Sequence, residues 1–385
     1  MKLIAIVRHF DYNQLSALPR AAYEISRRFT PKNEVLIVTD GFKEERYDAD
    51  GMRIRHIKAK NSLDFFNSVR GVISEENPSI IHFFGSLSGA ILLSSKLRHY
   101  RVPIVMNLYN GKIRLKEFSS LRFGDVLKQP TRIFILSMKN ILIPRMIIKR
   151  FLDKENIRII VPSKNLKEDY GHIVKNRVIQ IPHGVDIDDR KKEVSRSKET
   201  LGLNKNDKIV LYFGNSYILR GIDDLIKSLE RLDDNTRLLL VLTPSSNLKY
   251  IKNLIRFSPK NKNILLKEGY FKNKKDFLDI ADIVALPYRF SGEIPEYPFV
   301  LLESMASSKP VITTNIGSIP EIIQNDYNGL VINAKKPEEL RNAIMKFLDD
   351  GDFAKKCGIN ARKTVESFDW DIVSQKVFKV YKEAI

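Results

Sequence analysis

The polar stretch PHGVDIDDRKKEVSRSKET, residues 182–200, has no apolar period and divides the chain's alternation of strands and helices into two series. Before it, short β-branched runs stand at Leu3–Val7, Val35–Val38, Ile80–Phe84, Ile104–Met106, Ile157–Val161 and Val178–Ile181, with helical patterns between them, as at Leu18–Phe29, Leu87–Leu97 and Ile133–Leu152. After it the alternation restarts. Strands are predicted at Lys208–Phe213, Arg237–Leu242, Asn263–Leu266, Ile283–Leu286, Pro310–Thr313 and Leu330–Ile332. Helices are predicted at Ile222–Leu232, Leu248–Phe257, Phe277–Ile280, Val300–Ala306 and Glu338–Leu348. Continuous apolar strands separated by helices mean a parallel sheet covered on both faces. The reading is therefore α/β, with two doubly wound domains, residues 1–181 and 182–368. A last helix, Trp370–Ala384 within residues 369–385, follows the completed second sheet and is predicted to cross back to the first domain.

Composition agrees with two cores. The 385 residues are 43% hydrophobic, more than one core of ordinary size absorbs. A single cysteine, Cys357, excludes an internal disulfide scaffold and suits a reducing cytosol. The uncharged stretch Asn77–Ser95 opens on Asn-Pro and contains His82, Gly85 and several serines, so it reads as strand, turn and helix rather than as a membrane span. The amino-terminal MKLIAIVRHFDYN has too short an apolar core before Arg8 for a signal peptide.

The net charge of +19 is unevenly placed. Residues 1–180 hold 32 basic and 17 acidic side chains, against 33 and 29 in residues 181–385. Such an asymmetry predicts a polyanionic partner for the first half or, more simply, a solvated basic surface. Interleaved aromatic and basic motifs of the RNA-binding kind are missing, so a nucleic-acid partner is not expected.

Three strings at predicted strand ends carry the chemistry. In LYFGNSYILRGIDDLIKSL a strand ends at Gly214, Asn215 follows, and Arg220 with Gly221 opens a solvent-facing helix; such a turn suits an anion, which Arg220 can fork onto. In ALPYRFSGEIPEYPFVLLESMASSKPVITTNIGSIPEI a loop carries Glu293 and Glu296, and a helix beginning near Phe299 and Val300 holds Glu303 one turn inside. Carboxylates so placed accept the two hydrogen bonds of a sugar or ribose diol, although either acid alone also suits an ordinary loop or first-turn position. In KEGYFKNKKDF, Gly269 lets backbone approach a planar ring that Tyr270 could flank. The pair Asp48 and Asp50 reads as a polar loop rather than a metal site, and no metal is predicted.

These strings, with PHGVD at 182–186, resemble the retaining, nucleotide-sugar-dependent glycosyltransferases of the GT-B fold, group 1 and family-four-like, which have two facing Rossmann-like domains. IIVPSKNLKEDY, PSIIHFFGSLSGAILL, VPIVMNLYN and FDWDIVSQKVFKVY extend the resemblance over nearly the whole chain. The resemblance implies a metal-independent hexosyltransferase with no cofactor beyond its nucleotide-diphosphate-sugar co-substrate, acting on a glycan or lipid-linked acceptor. It implies donor contacts at Gly214, Asn215, Gly269, Tyr270, Phe299, Val300 and Glu303, the last holding the ribose. It implies catalytic roles for Arg220 on the leaving diphosphate, for Glu296 or Glu293, and for Tyr109, which stands where many members have a histidine.

The chain departs from the family's pattern in four places. Asn215 replaces an arginine, Pro295 replaces the first glutamate of a pair, Tyr109 replaces the histidine, and RHFDYNQLSALPR replaces a glycine-rich loop. These motivate a rival reading, a degenerate member that binds a nucleotide sugar or a partner enzyme without transfer. On the basic stretch Asp125–Leu152, the side chains of Lys128, Arg132, Lys139 and Arg150 fall on one side of a helix. That side reads equally as a strip docking a cytoplasmic enzyme on the anionic inner face of the membrane and as the solvated face of a packed helix.

Overall fold

The computed structural model describes residues 1–12, 17–109, 143–174, 177–187, 198–245, 247–271 and 274–385. Their contacts divide them into two compact units. One takes in residues up to 109, 143–184 and 368–385, and the other residues 185–367.

In chain order the first unit contains β1 (Lys2–Val7), α1 (Ala17–Phe29), β2 (Glu34–Gly41), β3 (Glu45–Ala49), β4 (Met52–Lys58), α2 (Ser62–Glu76), β5 (Ile80–Gly85), α3 (Leu87–Lys96), β6 (Ile104–Leu108), α4 (Arg145–Leu152), β7 (Ile157–Val161), α5 (Lys164–Gly171) and β8 (Val178–Gln180). The strands form one sheet in the order β3-β4-β2-β1-β5-β6-β7-β8. β5 and β6 are buried along their whole length, which is why their sequences are apolar apart from His82 and Asn107. Three of these helices begin where a side chain caps them: Asn61 accepts from the Asp64 N–H, Ser86 from Gly89 and Ser163 from Leu166.

The second unit contains β9 (Lys208–Asn215), α6 (Ile222–Ser228), β10 (Thr236–Thr243), α7 (Leu248–Arg256), β11 (Ile264–Glu268), α8 (Lys275–Ile280), β12 (Ile283–Leu286), α9 (Phe299–Ala306), β13 (Val311–Thr314), β14 (Leu330–Ile332), α10 (Pro337–Asp349) and α11 (Gly351–Val365). Its parallel sheet has the order β11-β10-β9-β12-β13-β14, the doubly wound 3-2-1-4-5-6 arrangement. The last helix, α12 (Trp370–Ala384), packs on α1, β6 and β7 of the first unit. At that return, a Cβ on Gly184 would lie 2.1 Å from the Trp370 ring, so the indole occupies the space that any larger residue at 184 would need.

Several expectations need correction. The first sheet is not wholly parallel, because β3 pairs antiparallel with β4 at its edge. Asp48 therefore lies in a strand, and Asp50 sits in the turn at φ 49, where its carboxylate accepts from Tyr12 and Tyr23. Those two bonds hold the Asp50 carboxyl below its ordinary range. The helix expected to run to Leu232 ends at Ser228 and tightens into a 3₁₀ turn, and α11 was not foreseen. In the basic stretch, Lys128, Arg132 and Lys139 lie outside the described residues. Pro144 precedes α4, which buries Ile148 and Leu152 and leaves Arg150 exposed. Among the described residues no helix is long and apolar enough to cross a membrane.

Candidate active site

In an open parallel sheet the ends of two neighbouring strands part where the strand order reverses, leaving a crevice at their carboxyl ends. In the second unit that point lies between β9 and β12. The turn after β9 and the turn after β12 meet there. Gly221 has φ 78, and a Cβ on it would sit 1.9 Å from the Pro287 carbonyl oxygen, so this position requires glycine. The Arg289 N–H donates to the Leu219 carbonyl across 2.9 Å and ties the two turns together.

Arg220 ends a 3₁₀ turn, and its guanidinium lies 5.3 Å from the centroid of the Tyr288 ring. Its Nε is buried and has no hydrogen-bond acceptor among the described residues. Tyr288 is fully buried, and burial pushes its hydroxyl up to about 12 against the pull of Arg220. The helix after Gly221 is not solvent-facing as the sequence suggested: all of α6 except Lys227 is buried. Its first turn carries Asp223 and Asp224, both buried, because Arg289 neutralises them. Arg289 donates to the Asp224 carboxylate at 2.6 and 2.5 Å and stands 3.0 Å from Asp223. Sequence reading missed this group, since nothing near Asp223 or Asp224 in the chain points to a cation 65 residues away.

β9 runs further than predicted. Gly214 and Asn215 are ladder residues paired with Leu242 and Thr243, because β10 is equally long. The Tyr212 hydroxyl donates to the Asn215 carbonyl at 3.1 Å, and the Asn215 side chain accepts from the Tyr217 N–H at 3.3 Å. Beyond β11, Gly269 adopts φ 141 and Tyr270 is 63% exposed, leaving its ring open to a partner.

Phe299 and Val300 open α9 behind Pro298, and Glu303 lies one turn inside with 9% exposure. Its carboxylate faces the Lys274 ammonium at 3.2 and 3.4 Å, and that ammonium also sits 5.7 Å from the Phe213 ring centroid. Lys274 was not singled out in the sequence. Glu296 is half-buried in the preceding loop, where Tyr297 takes φ 50, anchored by its N–H on Ser318 and its hydroxyl on Glu321. Glu293 closes a 3₁₀ turn, and its side chain lies outside the described residues.

The carboxyl edge of the first sheet is built differently. Tyr109 follows β6 and is buried, which pushes its phenol above the ordinary range. Its ring stacks on His183 at 4.4 Å, and its hydroxyl accepts from the Asn107 amide at 3.0 Å. Asn107 in turn contacts His82 Nε2 at 2.8 Å, and His82 Nδ1 contacts the Tyr381 hydroxyl of α12 at 2.5 Å. Burial lowers His82 to about 3, so the ring is neutral. With Asn107 accepting at Oδ1, Nε2 carries the proton and Nδ1 accepts from Tyr381. At the end of β1, Arg8 binds Asp40 at 2.7 and 2.8 Å and Ser62 at 2.6 Å. Burial would raise the Asp40 carboxyl, but the His9 N–H and Arg8 outweigh it and hold the group below its usual range.

The second unit thus offers, on one sheet edge, a cation over an aromatic ring, a buried carboxylate with a lysine, and a glycine turn beside an exposed tyrosine. That set suits an anion, a diol and a planar ring. Residues 193–364 match the family Glycosyl transferases group 1. The chain is 25% identical over 359 residues to an uncharacterized glycosyltransferase of Methanocaldococcus jannaschii, MJ1178, covering 90% of this chain and 89% of that one. Among solved structures it resembles sucrose-phosphate synthase from Thermosynechococcus elongatus, with a TM-score of 0.79 at 16% identity over 99% and 98% of the two chains. It also resembles Anabaena Alr3699/HepE in complex with UDP-glucose, with a TM-score of 0.77 at 15% identity over the full length of both.

Proposed function

Because the chain is a glycosyltransferase of group 1 with the GT-B fold, we propose that it moves a sugar, with retention of configuration, from a nucleotide-diphosphate donor to a glycan or lipid-linked acceptor. The observation that carries the reading is Arg220: a guanidinium held over the Tyr288 ring at the switch point, with a buried Nε that has no acceptor among the described residues. A donor diphosphate supplies that acceptor. The base lies at Gly269 and Tyr270, two strand spacings or about 10 Å from the end of β9, which suits the span from base to phosphates. Glu303 takes the ribose diol, and the backbone of Phe299 and Val300 meets the sugar and phosphates.

Retention needs a stabilised leaving group and a held sugar more than a strong base. Arg220 acts as charge builds on the diphosphate, and a donor phosphate oxygen takes the acceptor's proton. No step calls on a metal. The acceptor belongs to the basic first unit, whose positive excess suits a phosphorylated or membrane-linked acceptor and docking on an anionic surface by the strip that includes Arg150.

A thermal-shift panel with UDP, GDP, ADP and dTDP tests donor binding. A ligand at 100 times its dissociation constant stabilises by about 2.7 kcal/mol. The sugar form of the nucleotide that shifts melting is then offered with acceptor lipids, and the anomeric configuration of the product is read by NMR. No shift with any of the four would overturn the donor site. A shift without transfer would favour the binding-only member, and an inverted product would reject retention.

A further inference from the structure

We propose that Lys274 is a second donor-binding cation, reaching the nucleotide's phosphates and taking the place of the arginine whose position Asn215 occupies. This rests on the donor-site reading above. Lys274 Nζ stands 3.2 and 3.4 Å from the two Glu303 oxygens. Those contacts are longer than the 2.7–2.9 Å of a tight charge-assisted bond. An ammonium carries three donors, so sharing Glu303 leaves capacity for another acceptor.

Exposure shows which side of the pair is open. The Lys274 side chain is 31% exposed and that of Glu303 10%, so the cation faces outward and the carboxylate inward. The Phe213 ring, 5.7 Å away, limits where the ammonium can go. Phe213 belongs to β9 and leads directly into Gly214 and Asn215, the strand end assigned to the diphosphate.

Charge gives the reason such a group is needed. Arg289 is spent on two buried acids, Asp223 and Asp224. Among the described residues, Asp223, Asp224, Glu303 and the half-buried Glu296 stand against Arg220, Arg289 and Lys274. Without Lys274 the same side chains would present a larger excess of negative charge to an incoming diphosphate. As the ribose hydroxyls donate to Glu303, Lys274 keeps one carboxylate contact and turns a free N–H to a phosphate oxygen.

The test compares Lys274→Met, which keeps the chain packed on Phe213, with Lys274→Arg and the parent protein. Calorimetry is run with UDP, GDP, ADP and dTDP and with the four matching nucleosides, and melting curves verify folding. For the pair the parent binds, Lys274→Met should weaken the diphosphate about tenfold or more and leave the nucleoside nearly unchanged, and Lys274→Arg should recover most of the loss. Equal weakening of diphosphate and nucleoside would show that Lys274 only holds Glu303 in place and would overturn the proposal. So would unchanged diphosphate binding in Lys274→Met. If the parent binds none of the four pairs, the donor site itself falls and this inference with it. Diphosphate binding that depends on Arg220 and not on Lys274 removes this inference alone.

Discussion

The carboxyl edges of the two sheets are made in opposite ways. In the second unit, the residues assigned to the donor come from three short strings, each a strand end, a turn and a helix start, and each legible by itself. In the first, the comparable edge is assembled from residues far apart in the chain. Arg8 meets Asp40 and Ser62, and the line from Tyr109 through Asn107 and His82 ends on Tyr381, 299 residues beyond His82. The difference teaches that a phosphate-and-ribose site, which backbone turns and single helix positions can supply, leaves a local mark in sequence. A network whose members meet only through the fold leaves none.

The largest effect is expected where the second unit departs from its own local logic. Arg289→Ala would leave Asp223 and Asp224 buried without their cation. Removing one partner of such a group costs about 3–5 kcal/mol. Urea unfolding should show a loss of that size, and a loss under 1 kcal/mol would mean the acids are not sustained by Arg289.

Arg220→Ala should behave in the reverse way. Its Nε has no acceptor among the described residues and only the contact with the Tyr288 ring is lost, so stability should fall by about 1 kcal/mol, whereas turnover should fall roughly a hundredfold, about 3 kcal/mol in the barrier. Near-normal turnover at saturating donor would remove Arg220 from the chemistry. Glu303→Gln is expected to weaken a nucleoside and its diphosphate alike, by roughly 1.5–3 kcal/mol, because the ribose loses a charged acceptor. Equal affinity of variant and parent in calorimetry would move Glu303 out of the site.

What the sequence disclosed follows the same division. All six strands of the second sheet were expected, since each is a short apolar run bounded by turn residues. The edge pair β3 and β4 was missed because ERYDA and MRIRHIK carry charges at positions that face solvent, and only the pairing of β4 with β2 and of β3 with β4 defines them as sheet. Glu303 could be found from its place one turn inside a helix. Lys274 could not, because a lysine in the run KNKK gives no period and no spacing that distinguishes it from solvated neighbours. His82 and Asn107 were hidden for the opposite reason. Each is one polar residue inside an otherwise apolar strand, and strand reading registers the run rather than the exception.

The smallest expected effect sharpens the first-unit side of the comparison. Burial lowers His82 from an ordinary 6.5 to about 3, so between those values the unfolded chain binds a proton that the folded chain refuses. The sign follows: this residue's contribution to stability is intact above pH 6.5 and is lost as pH falls toward 3, by up to about 1.4 kcal/mol per pH unit. His82→Gln supplies an amide donor for Asn107 and an amide oxygen for Tyr381 but has no proton to take up. Urea unfolding at pH 7, 6 and 5 should therefore give a shallower loss for the variant than for the parent, with the difference about half that slope between pH 7 and 6 and close to it between pH 6 and 5. The carboxylates elsewhere titrate in both proteins and cancel in the comparison. Parallel lines for the two would mean that His82 is not the neutral, buried link between β5 and α12, and the line from Tyr109 to Tyr381 would lose its central member.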